Sequence, residues 1–210
     1  MMKKINLICN YLDELYEDPK TELNFNKDYE LLISVVLSAQ TTDIMVNKVT
    51  SVLFSKYNTL NKLNSASLED IESIVKKIGL YKKKSLAIKE ITRILINDYN
   101  GVVPNKKEDL IKMPLVGNKT ANVVLSVLYD QSYIAVDTHV NRVSKRLGIV
   151  KEGASVLDVE KTLEKILDPN NYKKRHLQLI LFGRYKCKSR KPECLSCKLI
   201  NICEYEKKEV

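Results

Sequence analysis

Apolar residues recur at helical spacing along nearly the whole chain. Ile5, Ile8, Leu12 and Leu15 form one stripe. Residues 31–37 are almost continuously apolar; with helical patterns on both sides and no partner strand, they read as a buried helix. Val46, Val49, Val52, Leu53 and Tyr57 carry the next stripe. Ser67-x-x-Asp70 resembles a capping box ahead of Ile71, Ile74, Val75 and Ile78, with Gly79 as the stop. A helix over 82–97 runs into the breakers Asp98, Asn100, Gly101 and Pro104. A short helix closes at Met113 before Pro114. Ala121, Val124, Leu125 and Leu128 then place a new helix from Asn118. Residues 133–136 are extended and end at Asp137, positioned to cap a helix over 138–147. Ser155 opens a helix carrying Val156, Val159, Leu163 and Ile166. Residues 168–171 break it, and a last long helix spans 172–186. The pattern predicts an all-α protein of about ten helices.

Composition narrows the class. The 210 residues are 44% hydrophobic and 29% charged, enough apolar material for a core and too much for disorder. No stretch nears the ~18 apolar residues a membrane helix requires. The apolar run 5–9 after Met1-Met2-Lys3-Lys4 is too short for a secretion signal and acids follow at once. The expectation is an intracellular protein whose five cysteines are thiols or metal ligands rather than disulfides.

A formal charge of +9 points to a polyanionic partner, nucleic acid first. The charge is concentrated. Lys173, Lys174, Arg175, Arg184, Lys186, Lys188, Arg190 and Lys191 form a stretch without Asp or Glu, and Lys76, Lys77, Lys82, Lys83 and Lys84 surround Gly79. Both clusters are expected to contact phosphates rather than merely solvate a face.

Cys187, Cys194, Cys197 and Cys203 are spaced C-x6-C-x2-C-x5-C. Four such thiols serve either a tetrahedral zinc or an iron–sulfur cluster. Structural zinc usually takes two short C-x2-C knuckles, and only one is present; the wider spacing favours a [4Fe–4S] cube. Cys9 lies on the first apolar stripe as a small core residue.

The segment Met113-Pro114-Leu115-Val116-Gly117-Asn118-Lys119-Thr120 joins two helices through a tight turn. Such a turn offers main-chain N–H groups and a positive dipole end to a phosphate, gripping DNA without reading sequence. Lys119 opens the second helix, where the dipole prefers anions. Its ordinary role there is an exposed or phosphate-binding lysine. Its sharper role is that of a nucleophile, because the helix end, neighbouring cations and burial all favour the neutral amine. A neutral amine attacks a sugar C1′ and forms a Schiff base. Asp137, besides capping, stabilises an oxocarbenium-like sugar or moves protons if it projects toward a substrate. His139 lies two residues beyond it, and nothing local assigns its role.

These blocks, together with Thr21-Glu-Leu-Asn-Phe25, Leu37-Ser-Ala-Gln40-Thr-Thr-Asp43, Ile78-Gly-Leu-Tyr81, Ile134-Ala-Val-Asp-Thr-His139 and Gly183-Arg-Tyr-Lys-Cys187, resemble the endonuclease III family of DNA glycosylases in the helix-hairpin-helix superfamily. The resemblance implies two helical domains with the DNA groove and active pocket between them. One is a six-helix domain, 21–131, with the hairpin. The other joins 1–20 to 132–210 and carries a [4Fe–4S] cluster on the loop 187–203. It implies removal of oxidised pyrimidines followed by β-elimination 3′ to the abasic site. Lys119 matches the Schiff-base lysine and Asp137 the catalytic aspartate, while Gln40 and Leu80 match residues that fill the stack after the nucleotide is flipped. Val116, Gly117, Asn118, His139, Arg190 and Lys191 complete the expected DNA contacts. The expected partner is double-stranded DNA with damaged bases or abasic sites, met by a monomer, with no membrane partner.

Three positions depart from the family pattern. Leu115 stands for the first Gly of a Gly-Val-Gly hairpin, where a Cβ hinders phosphate approach or demands another φ. Asn118 stands where Arg is frequent, and Phe182 replaces a common His. An adenine-mismatch glycosylase is disfavoured because such enzymes lack this lysine. A non-catalytic DNA-binding protein with a structural cluster or zinc is the alternative from another class.

Overall fold

The structure, a computed structural model, describes residues 2–208. Among them are eleven α-helices and no strand. They are α1 (Met2–Leu15), α2 (Asp28–Ser38), α3 (Asp43–Lys56), α4 (Leu60–Ser65), α5 (Leu68–Val75), α6 (Tyr81–Tyr99), α7 (Lys107–Leu110), α8 (Asn118–Tyr129), α9 (Thr138–Arg146), α10 (Val156–Ile166) and α11 (Tyr172–Leu181). A 3₁₀ turn, Pro169–Asn171, precedes α11, and a π turn, Phe182–Lys186, follows it. The chain divides into two compact units, one of Thr21–Tyr129 and one of Met1–Lys20 with Asp130–Val210.

In the first of these units α2 is the central rod. Its residues from Tyr29 through Leu37 are all buried, as expected of a helix apolar on every side. Each fully buried Leu or Ile there contributes about 1.5–3 kcal/mol of burial. Helices α3, α6 and α8 pack on α2, α5 packs on α3 and α6, and α7 packs on α8. Glu30, buried in α2, is satisfied by the Asn26 N–H at 2.8 Å. Helix α6 ends where Asn100 and Gly101 both turn left-handed and the Gly101 N–H donates to Leu95 O at 2.7 Å, closing the C-terminus.

Several local expectations change. Ser67 accepts from the Asp70 N–H, but the box is not reciprocated, because the Asp70 carboxylate is taken by Lys56 and Tyr57. Gly79 is not the left-handed stop: α5 ends at Val75, and Leu80 takes the positive φ instead. Val52, assigned to an apolar stripe, is exposed. The short helix before Pro114 ends at Leu110, and a turn continues to Met113.

The other unit packs α1, α9, α10, α11 and the π turn around Ile8, Leu12, Val140, Val143, Leu163 and Phe182. Tyr11 meets Phe182 edge-on, with ring centroids 6.2 Å apart. The helix expected over 172–186 ends its α-helical part at Leu181; the Cys187 N–H then reaches back to Phe182 O at 2.7 Å, the signature of the wider turn.

Arg175 on α11 grips Asp13 of α1 with two hydrogen bonds of 2.8 and 2.9 Å. Lys174 and Gln178 also reach that carboxylate. The Arg175 guanidinium holds the Asp13 carboxyl well below the ordinary carboxylate range. A depressed folded-state value makes the contribution complete above the unfolded value near ~3.9 and lost as pH falls further. Asp13→Asn is therefore expected to cost about 1 kcal/mol at neutral pH, given its partial exposure. Thermal midpoints of variant and parent should begin to approach each other below about pH 4 and meet only as pH nears the depressed folded-state value.

Candidate functional site

Residues expected to act fall on both units. In unit Thr21–Tyr129, the hairpin is anchored by buried Val116, while Gly117, Asn118 and Lys119 are exposed. Helix α8 begins at Asn118, and its first closing bond runs from the Ala121 N–H to Gly117 O at 3.0 Å. The N–H groups of Asn118, Lys119 and Thr120 point out of the helix start without intrahelical acceptors. The Lys119 side chain has no hydrogen bond or ion pair among the described residues. Burial, one expected cause of a neutral amine, is absent: the side chain stands in the open.

Leu115 adopts φ 61°, the conformation a glycine would take, and is 51% exposed. The substitution therefore leaves the left-handed turn in place, and a leucine there carries about 1–2 kcal/mol of strain. Gln40 (φ 56°) and Leu80 (φ 61°) share that backbone state, and both are exposed, Leu80 by 56%. Leu80 is thus no packing residue. Strained, exposed non-glycine residues concentrate at functional sites, and three of the six among the described residues lie on these two loops and the hairpin.

The expected phosphate-binding lysines divide. Lys76, Lys77, Lys82 and Lys83 are exposed, but Lys84 is buried and cannot reach DNA. Five of the eight cations in the basic stretch 173–191 share three carboxylates, which leaves the stretch net positive. Asp130 takes Lys173, Asp13 takes Lys174 and Arg175, and Glu193 takes Lys186 and Lys188. Arg190 and Lys191 remain exposed and unpaired among the described residues, Lys191 with φ 49°.

In the other unit, Asp137 caps α9: its Oδ1 accepts the Val140 N–H at 2.8 Å. Oδ2 accepts nothing among the described residues and stays available. His139 is half-buried, with Nδ1 3.2 Å from Arg142 Nη2. Burial holds its imidazole below the ordinary value. Its Cβ lies against Gly183 of the π turn, where an added Cβ would sit 2.8 Å away, with Val143 Cγ2 at 3.2 Å. Gly183→Ala is expected to cost about 1–3 kcal/mol by overpacking, read as a lowered thermal midpoint.

All four clustered cysteines line one half-open pocket, with Leu147 and Phe182 at its wall. Among the described residues no group of three or more His, Cys, Asp or Glu side chains is drawn together as a metal site, but four thiols in one pocket lining form an all-sulfur donor set that soft metals take. Arg146, buried, fixes this loop. It donates to Lys188 O at 2.6 Å and Ser189 O at 3.2 Å, and lies 3.5 Å from Cys187 Sγ. Arg142 adds bonds to Gly183 O at 2.7 Å and Cys187 O at 3.2 Å. Burial pushes the Cys187 thiol up, and Arg146 pulls it back toward the thiolate a ligand must be. Sequence reading missed both arginines. Their spacing of four on α9 was the available signal, since it places them on one face.

Residues 33–169 match the family described as HhH-GPD superfamily base excision DNA repair protein. Endonuclease III of Bacillus subtilis (strain 168) is 43% identical over 202 residues, spanning 96% of this chain and 92% of that protein. A solved structure of a trapped endonuclease III–DNA covalent intermediate, an estranged-adenine complex, is similar with a TM-score of 0.91 and 46% identity, covering 97% of this chain and 95% of that one. A non-covalent endonuclease III–DNA complex is similar with a TM-score of 0.92 and 45% identity, at the same coverage. No helix among the described residues is long and apolar enough to cross a membrane.

Proposed function

Because the chain belongs to the endonuclease III family, within the HhH-GPD superfamily of base excision DNA repair proteins, we propose that it excises oxidised pyrimidines from duplex DNA and cleaves the strand 3′ to the abasic site. The carrying observation is Lys119, an exposed amine without a partner, standing among unclaimed N–H groups at the start of α8. That helix start binds a phosphate and brings the sugar beside the amine.

The target nucleotide must leave the stack, because C1′ is inaccessible inside a duplex. Gln40 and Leu80 fill the gap. The Lys119 amine, having lost its proton, attacks C1′ as the glycosidic C–N bond breaks, and the base departs with the bonding pair and takes up a proton. Ring opening leaves an iminium on Nζ. Loss of a C2′ proton then expels the 3′ phosphate oxygen, and hydrolysis of the imine returns the amine. The open Oδ2 of Asp137 stabilises positive charge developing on the sugar and accepts a proton, while Oδ1 stays occupied as the helix cap. Arg190 and Lys191 add phosphate contacts.

Cys187, Cys194, Cys197 and Cys203 would hold the [4Fe–4S] cluster that suits their donor set. When bound, it supplies iron–thiolate cross-links across the loop. Arg146 and Arg142 also hold the loop backbone.

Duplexes bearing thymine glycol, uracil, an abasic site or an adenine–oxoguanine mismatch discriminate the readings. Cleavage at thymine glycol and at the abasic site is expected. Lesion-blind duplex binding without any product would instead identify a non-catalytic DNA-binding protein.

A further inference from the structure

The most deeply buried lysine of the chain is not used by the chemistry above. Lys84, on the first turn of α6, is 1% exposed. Its ammonium donates to Leu37 O at 2.9 Å, Ala39 O at 2.7 Å and Thr41 Oγ1 at 3.3 Å. An ammonium has three donors and no acceptor capacity, so these oxygens match its valence. Among the described residues no carboxylate is one of its partners. Burial pushes its amine down from the ordinary value, a cost that an apolar residue at the same place would avoid.

What the charge holds is a particular stretch of backbone. Leu37 O and Ala39 O are orphan carbonyls at the C-terminus of α2, where a cation is favourable. Ala39 and Thr41 are the two neighbours of Gln40, which sits at φ 56°. A residue with a Cβ keeps that conformation only where its surroundings over-determine it. The same lysine's N–H donates to Leu80 O at 3.1 Å, the first closing bond of α6, and Leu80 is itself an exposed left-handed residue. One residue therefore grips both loops, by its side chain on one and its main chain on the other.

We propose that Lys84 is the positioning residue that locks Gln40 and Leu80 into a single rigid probe for the gap left by an extruded nucleotide. This deepens the function proposed above and rests on the stack-filling role given there to Gln40 and Leu80. Lys84 touches no DNA; it sets the backbone from which the two probes project.

The test is a mutant cycle on full-length protein, read as single-turnover excision from a thymine glycol duplex. Lys84→Met is expected to slow excision by about 100-fold, the size of effect that an ångström of misplacement produces. The isosteric Thr41→Val removes one acceptor and should act in the same direction more weakly. In a Gln40→Ala, Leu80→Ala background both changes should become nearly silent, since the parts they position are gone. A loss from Lys84→Met that persists undiminished in that background would overturn the proposal and leave the probe role intact. If the Gln40→Ala, Leu80→Ala protein itself excises at the parental rate, the probe role falls and the proposal with it. Should Lys84→Met fail to fold, the same cycle with Thr41→Val decides: coupling to the probe residues supports the clamp, and simple additivity overturns it.

Discussion

Lys119→Gln is expected to abolish the borohydride-trapped complex with abasic DNA and to slow excision on the order of 10⁴–10⁶-fold, as loss of a covalent nucleophile does. The same change should not destabilise the protein. Lys119 lies in the first turn of α8, is exposed, and has no partner to lose. Removing a positive charge from a helix N-terminus is favourable by about 0.3–1 kcal/mol. Loss of chemistry alongside an unchanged or raised thermal midpoint would separate a catalytic role from a structural one. A variant that still traps would place the Schiff base elsewhere.

Asp137 allows a similar separation. Its side chain caps α9 through Oδ1 while Oδ2 is unclaimed. Asparagine caps a helix about as well as aspartate, whereas alanine does not. Asp137→Asn should therefore keep the stability of the parent and lose base excision by about 10²–10⁴-fold, because the carboxylate charge is gone. Asp137→Ala should show the same catalytic loss with an added cost of about 1 kcal/mol. Single-turnover excision and thermal unfolding, measured on both variants, resolve the two functions of one residue. If Asp137→Asn excises normally, the aspartate is a cap alone.

Much of the local structure was legible because its causes are local. Most of the stripes of α1 and α10, apart from the exposed Leu15 and Val156, the starts of α8 and α9 and the cap at Ser155 follow from side chains within a few positions of one another. Ser155 and Asp158 complete the reciprocal box that Ser67 and Asp70 only half form. That difference is tertiary, since Lys56 and Tyr57 on and beside α3 claim the second carboxylate. Ion pairing of the basic stretch is tertiary in the same way: Asp13 and Asp130, distant in sequence, pair with Lys173, Lys174 and Arg175. Lys84 was read with its exposed neighbours Lys82 and Lys83, although it stands four residues before Ile88 and seven before Ile91, on the face of α6 that packing buries. The π turn at Phe182–Lys186 was hidden by a helical pattern that continues unbroken through it, and only the five-residue reach of the Cys187 N–H back to Phe182 O reveals it.

The central claim is that one amine, that of Lys119, bonds to the deoxyribose. Reduction of the enzyme–abasic DNA adduct, digestion, and mass spectrometry of the modified peptide locate that bond directly. The account predicts the deoxyribose-derived mass on the peptide containing Lys119 and on no other. The same mass on Lys84, on an exposed lysine near Gly79, or on the N-terminal amine would contradict it.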